Sequence, residues 1–259
     1  MAQILLERHA GVARLTIHHP ERRNAMTHAM FLELARLFAV LGADDETRVV
    51  LLIGHGENFS AGGDISQFGA LRKDSASNDD FVAAVDGALT APTHCAKPVV
   101  AAIRGACMGG ALELSAGCDV RIAAETAAFR MPAARLSAAY RFEGIRRFVA
   151  VVGPAHTADL FFSARKFDAA EAMRIGYVNR VVPDAELESE ALAYCRKVAQ
   201  NAPLTLAAAK VAIREALKDA HERDMSEVRT RIAACFGTED QQEGRRAFLE
   251  KRDPVFRGR

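Results

Sequence analysis

An α/β fold with crossover connections is predicted by three features of the 259-residue chain. Two short apolar runs rich in β-branched residues, 49–53 and 99–103, have the length of strands. Each is followed by a glycine-rich turn and then by residues at helical spacing. Strands alternating with helices require crossovers, and crossovers build parallel sheets. The final third of the chain carries helical patterning almost throughout.

The elements follow in order. Residues 4–7 and 12–17 read as a hairpin, with Gly11 in the turn and Pro20 stopping the second strand. Thr27 is an N-cap for a helix carrying Met30, Leu34, Leu37, Phe38 and Leu41, which Gly42 ends. The run 49–53 is apolar on both faces, as in a strand covered on both sides. The polar stretch 73–80 (KDSASNDD) is the best candidate for a mobile loop. A helix around 81–89 leads to Pro98 and the strand 99–103. Gly105 and Gly109-Gly110 precede a short helix at 111–116, and 120–123 alternates as a strand. From about residue 145 the chain reads as helix, interrupted by a strand over 177–182. Met225, Val228, Ile232 and Cys235 form one apolar stripe, and Thr238 with Gln241 is a capping-box signature for the last helix. The division expected is an α/β core over 1–195 and a helical region over 196–259, packed on the core or on another subunit.

Composition excludes several classes. Half of the residues are hydrophobic and 26% are charged, which is globular rather than disordered or collagenous usage. Lys and Arg number 34 against 33 Asp and Glu, so the net charge of +1 offers nucleic acid no electrostatic footprint. No apolar run nears the ~18 residues of a membrane span. The first residues lack a signal-peptide pattern, so a cytoplasmic protein without membrane association is expected. Five scattered cysteines without Cys-x-x-Cys read as reduced, buried thiols. No histidine spacing fits a metal site, and no metal is expected. A P-loop is missing, Glu57-Asn58-Phe59 breaks the dinucleotide glycine pattern after Gly54-His55-Gly56, and Ser60 lacks the glycine of a nucleophile elbow.

Two segments share a layout of apolar strand, glycine turn and helix: VVLLIGHGENFSAGGDI (49–65) and VVAAIRGACMGGALEL (99–114). Glycines let the backbone approach a ligand, and free N–H groups at a helix start favour negative charge. One N–H from each turn, aimed at one oxygen, makes an oxyanion hole in which each donor is worth ~3 kcal/mol of transition-state stabilisation.

SAGGD (60–64) after Phe59, and GACMGGALEL (105–114), closely resemble the two signature segments of the enoyl-CoA hydratase/isomerase, or crotonase, superfamily. RRNAM (22–26) is similar to its first CoA-contacting segment, and EGRRAFLEKRDPVF (243–256) to its C-terminal helix. The likeness runs from about residue 3 to 256. It implies a spiral of ββα units with a helical C-terminal trimerisation region, assembly as a homotrimer or dimer of trimers, and acyl-CoA substrates. Coenzyme A is then part of the substrate, and no separate cofactor is implied. The resemblance places the oxyanion-holding amides at Ala61 and Gly110. It assigns Arg23, Ala25, Ser60, Ala61, Asp64 and Ile65 to the CoA groove, with Phe248 and Lys251 reaching CoA from a neighbouring subunit. Asp64 also reads as a cap for the helix after the first glycine turn.

Glu113 matches the first catalytic glutamate of the hydratases, three residues beyond Gly110. A carboxyl among Ala111, Leu112 and Leu114 gains a raised pKa suited to proton transfer. The second glutamate, expected after a proline, is replaced: Met131-Pro132 is followed by Ala133. LSAAYRFEGI (136–145) instead resembles the methylmalonyl-CoA decarboxylase branch, with a tyrosine at Tyr140, although Gly63 stands where that branch has a histidine. Three readings follow: a hydratase-type CoA-thioester lyase using Glu113; a decarboxylase using Tyr140 and the same oxyanion hole; and an acyl-CoA-binding protein with little turnover. Asp64 and Glu143 are rival carboxylates.

Overall fold

The computed structural model describes residues 1–67 and 75–259. Strands β1 (Gln3–His9) and β2 (Val12–His18) form the expected antiparallel hairpin, turning through Ala10 and Gly11 at positive φ. Helix α1 (His28–Ala43) starts where Thr27 Oγ1 accepts the Met30 N–H at 3.3 Å. Its inward face carries the five apolar residues read from the sequence, together with Phe31. It runs one residue past Gly42. After β3 (Val49–Gly54) come α2 (Ser75–His94), β4 (Val99–Ile103), β5 (Ala106–Met108), α3 (Gly110–Ala116), β6 (Val120–Ala124) and β7 (Ala128–Arg130). Helix α4 (Phe142–Ser163) is broken at Gly153, φ 77°, just before Pro154. Then follow β8 (Lys166–Asp168), α5 (Ala169–Arg174), β9 (Arg180–Val182), α6 (Leu187–Ala199), α7 (Pro203–Ala216), α8 (Met225–Ala233) and α9 (Glu239–Glu250).

The main sheet has the order β1-β2-β3-β4-β6-β9 and is parallel from β2 onward. Every residue of β3 and β4 is buried, as uninterrupted apolar strands between two layers must be. One face carries Val50, Leu52, Ala101 and Ile103 against the interior side of α1; the other carries Leu51, Ile53, Val100 and Ala102 against Leu187, Ala191 and Cys195 of α6. A second sheet, β5-β7-β8, stands apart. Its strands are three residues long, too short for alternation to register in the sequence.

Several expectations are corrected. Of the stretch proposed as a mobile loop, residues 75–80 open α2, and 73–74 lie outside the described residues. The strand read over 177–182 is confined to Arg180–Val182, because the Tyr177 and Val178 amides both turn back to the Ala172 carbonyl at the end of α5. The long helix begins at Phe142 rather than 145. The boundary set at 195/196 falls inside α6, whose inner face ends at Cys195. The α8 stripe is only partly covered: Val228 is buried, whereas Met225 and Ile232 are nearly half exposed. The cap of α9 forms, with Thr238 Oγ1 accepting from Gln241 N, but Gln241 Oε1 accepts from Gly237 N instead of Thr238 N. All five cysteines are free, four of them buried and Cys235 half-buried. Among the described residues no helix is long and apolar enough to cross a membrane.

Candidate active site

The two glycine turns meet above the C-terminal ends of β3 and β4, held by the 22–26 segment. Asn24 does the fastening. Buried and in the left-handed region (φ 57°), it donates through Nδ2 to the carbonyls of His55 (2.8 Å) and Asn58 (2.7 Å) and accepts the His19 N–H on Oδ1 (3.0 Å). Its own carbonyl accepts from Ser60 Oγ at 2.7 Å. A side-chain amide can satisfy several backbone groups at once, and here it fixes the entry to the first turn.

Two isolated parallel bridges then align the turns. Met26 pairs with Gly63, using the Gly62 carbonyl and the Asp64 N–H; Ser60 pairs with Cys107, using the Ala106 carbonyl and the Met108 N–H. In the first bridge Met26 supplies both bonds, so the N–H of Gly63 points away from it. A Cβ built on Gly62 (φ 99°) would stand 2.7 Å from the Met108 carbonyl oxygen and 3.6 Å from Gly110 N, so the turns touch backbone to backbone. Gly109 (φ 53°, ψ −119°) makes the sharp entry to α3. Among the described residues, the amides of Gly63 and Gly110 have no hydrogen-bond partner.

This corrects the assignment of Ala61. Its N–H donates to the Arg23 carbonyl at 3.0 Å and is not available to a ligand; two residues on, Gly63 has the free amide. The pairing that occupies Ala61 is tertiary, and no local sequence signal reveals it. Ser60 is corrected likewise. It is fully buried, its hydroxyl bonds Asn24 O and Gly62 N, and both its backbone groups serve the bridge to β5. Asp64 Oδ1 accepts from Ser66 N (3.1 Å) and Ser66 Oγ (2.6 Å), the capping role read from the sequence. Those bonds hold it below the usual carboxylate range. Arg23 and Ile65 are exposed beside the turns, and Ala25 is buried with its carbonyl bonded to His19 Nδ1. Phe248 is largely exposed at the end of α9, and Lys251 caps that helix in the left-handed region. Among the described residues no hydrogen bond or ion pair joins either side chain to the glycine turns.

Glu113 sits on the first turn of α3, only 9% exposed. Its carboxyl makes no hydrogen bond among the described residues. Its one charged contact among the described residues is Arg147 of α4, with Nη1 3.8 Å from Oε1. Burial pushes this carboxyl up to about 7; the Arg147 guanidinium opposes the rise and the Asp86 carboxylate adds to it. A carboxyl titrating near neutrality both accepts and returns a proton readily. Tyr140 lies alongside. Its hydroxyl is 3.6 Å from the Cβ position of Gly109, its ring packs edge-on to Phe161, and it is half-buried. Burial and the neighbouring Glu113 charge raise its proton affinity, so the phenol stays neutral. Ala133 is buried and brings no second carboxylate. Glu143 is exposed at the start of α4.

Sequence reasoning missed five members of this constellation, the free Gly63 amide first among them. Asn24 lay within a quoted motif but had no role assigned. Asp86 of α2, ion-paired to Arg141, Gly144 and Arg147 reach the site only because α2 and α4 converge on α3. Among the described residues no group of three or more His, Cys, Asp or Glu side chains is arranged to hold a metal ion.

The family model for enoyl-CoA hydratase/isomerase matches residues 7–259. The chain is 35% identical over 253 residues to a probable enoyl-CoA hydratase of Mycobacterium bovis, covering 98% of this chain and 97% of that one. It is 32% identical to the short-chain-enoyl-CoA hydratase of Clostridium acetobutylicum, with 96% and 95% covered. Its fold matches the crystal structure of an enoyl-CoA hydratase/carnithine racemase from Magnetospirillum magneticum with a TM-score of 0.92, at 33% identity over 100% of this chain and 97% of that one. The chain belongs to the enoyl-CoA hydratase/isomerase family and has the crotonase fold.

Proposed function

We propose that the protein is an acyl-CoA lyase that adds water across the double bond of a 2-enoyl-CoA, with Glu113 as its single acid/base. The observation that carries this reading is the Glu113 carboxyl: buried, titrating near neutrality, and three residues beyond the Gly110 amide, with neither group hydrogen-bonded among the described residues.

The chemistry follows from those groups. The thioester oxygen lies between the N–H groups of Gly63 and Gly110. Glu113 as carboxylate takes a proton from water while the water oxygen bonds to the β-carbon. The π electrons move to the thioester oxygen, where the two amides hold the enolate. The enolate then collapses, and its α-carbon takes the proton from Glu113, restoring the carboxylate. One carboxyl serves both transfers, so a second is not required. Arg23, Ala25 and Ile65 line the CoA approach. Phe248 and Lys251 contribute from a neighbouring copy in a homotrimer or dimer of trimers.

A second reading rests on the Tyr140 hydroxyl beside Gly109. In a decarboxylase for a short malonyl-type thioester, that hydroxyl orients the leaving carboxylate. The carbon–carbon bond breaks, CO₂ departs, the electron pair passes to the same enolate oxygen, and the α-carbon is protonated. A panel of acyl-CoA thioesters assayed for water addition and for CO₂ release separates the two. Hydration that Glu113→Gln abolishes and Tyr140→Phe spares supports the first; the reverse pattern, with CO₂ release, replaces it. Thioester binding without turnover or α-proton exchange in deuterated water leaves a binding protein.

A further inference from the structure

The first turn of α4 is shaped around the Glu113 side chain. Gly144 is buried, and a Cβ placed there would overlap Glu113 Oε1. Arg147, three residues on and therefore on the same face of the helix, brings Nη1 to 3.8 Å from that same oxygen. The guanidinium is anchored from the other side, since Nη1 also donates to the Leu89 carbonyl of α2 at 3.2 Å. Both side chains are nearly buried, 13% and 11% exposed. We propose that Arg147 is a positioning residue: together with the bare surface of Gly144 it docks the Glu113 carboxylate against α4 and keeps it charged and aimed at the substrate. This rests on Glu113 being the acid/base of the proposed reaction.

The groups facing Glu113 are Arg147 and Gly144 of α4, Tyr140 just before that helix, and Asp86 of α2, which is itself paired with Arg141. Among the described residues only Arg147 favours the ionised form; burial and Asp86 oppose it. Burial also lowers the proton affinity of Arg147, which the Glu113 charge partly restores. A buried pair of this kind carries a desolvation cost that mutual attraction does not fully offset.

The test compares wild type with Arg147→Met, Arg147→Lys and Gly144→Ala, reading the titration of Glu113 by ¹³C-glutamate NMR and the pH profile of kcat/KM. Losing an opposite charge at this range moves a carboxyl by about one pH unit or more. The expected result is that Met moves both the Glu113 midpoint and the acid limb upward by about that much, while Lys largely restores them. Gly144→Ala, which leaves every charge in place, lowers kcat at least about tenfold by displacing the carboxylate. An unmoved Glu113 midpoint in folded Arg147→Met overturns the proposal. Should that variant not fold, an Arg147→Gln variant with an unchanged Glu113 midpoint together with a Gly144→Ala variant of unchanged kcat overturns it equally. Full hydration by Glu113→Gln, in contrast, overturns the underlying assignment of Glu113.

Discussion

Replacing Glu113 by Gln keeps the side chain's length and its place on α3 but removes its proton chemistry. Water addition falls by about 10²–10⁴-fold, measured as kcat on an enoyl-CoA substrate. In the proposed reaction the carboxylate form is the active base, so kcat/KM is expected to rise with pH through about 7. Stability runs the other way. The folded carboxyl titrates at about 7 against an ordinary 4.5, so the native state holds a proton that the unfolded chain releases. The corresponding stability is complete below pH 4.5 and is lost as the pH rises through about 7, to a total of about 3 kcal/mol. Glu113→Gln escapes that loss, so its Tm exceeds the wild-type value at pH 8 and the gap closes at pH 5. Both assays bear on a residue that the resemblance to the hydratase signature singled out, one helical turn beyond Gly110. Arg147 and Asp86 were not legible, since their relation to Glu113 spans 34 and 27 positions and exists only through packing.

At the level of elements, turn chemistry was read well and turn partnership was not. The glycines at 62 and 109 are required by backbone geometry, which sequence composition signals directly. Gly62→Ala places a methyl against the Met108 carbonyl at a φ of 99°. It costs about 2 kcal/mol or more in urea unfolding and lowers turnover by shifting the Gly63 amide. The occupation of Ala61 N–H by Arg23 had no such signal, because it arises from a single backbone hydrogen bond between segments distant in sequence. Helix starts at Thr27 and Thr238 were legible because capping is local. Thr238→Ala removes the acceptor for Gln241 N and destabilises the fold by about 1 kcal/mol, read from the urea midpoint. The three-residue strands of the second sheet escaped because each has too few residues to show a period.

For the whole molecule, the parallel character of the sheet followed from alternating strands and helices, whereas its strand order and the packing of the last helices did not. Met225 and Ile232 stay substantially exposed on α8, and Phe248 and Leu249 more so on α9. The trimer or dimer of trimers proposed above would cover such surfaces. Sedimentation equilibrium is expected to give a three- or sixfold multiple of 28.0 kDa, and Ile232→Asp to shift the population toward single chains. A wild type that sediments as one chain removes the shared CoA contacts proposed for Phe248 and Lys251.

Asn24 carries a kinetic consequence. Its amide joins backbone groups 31 and 34 residues away, and its carbonyl receives a hydroxyl 36 residues on. These clasps close only after β2 and β3 have docked side by side, and such distant contacts are slow to form. During renaturation from urea, far-ultraviolet ellipticity should therefore recover ahead of thioester turnover, and Asn24→Ala should widen that delay.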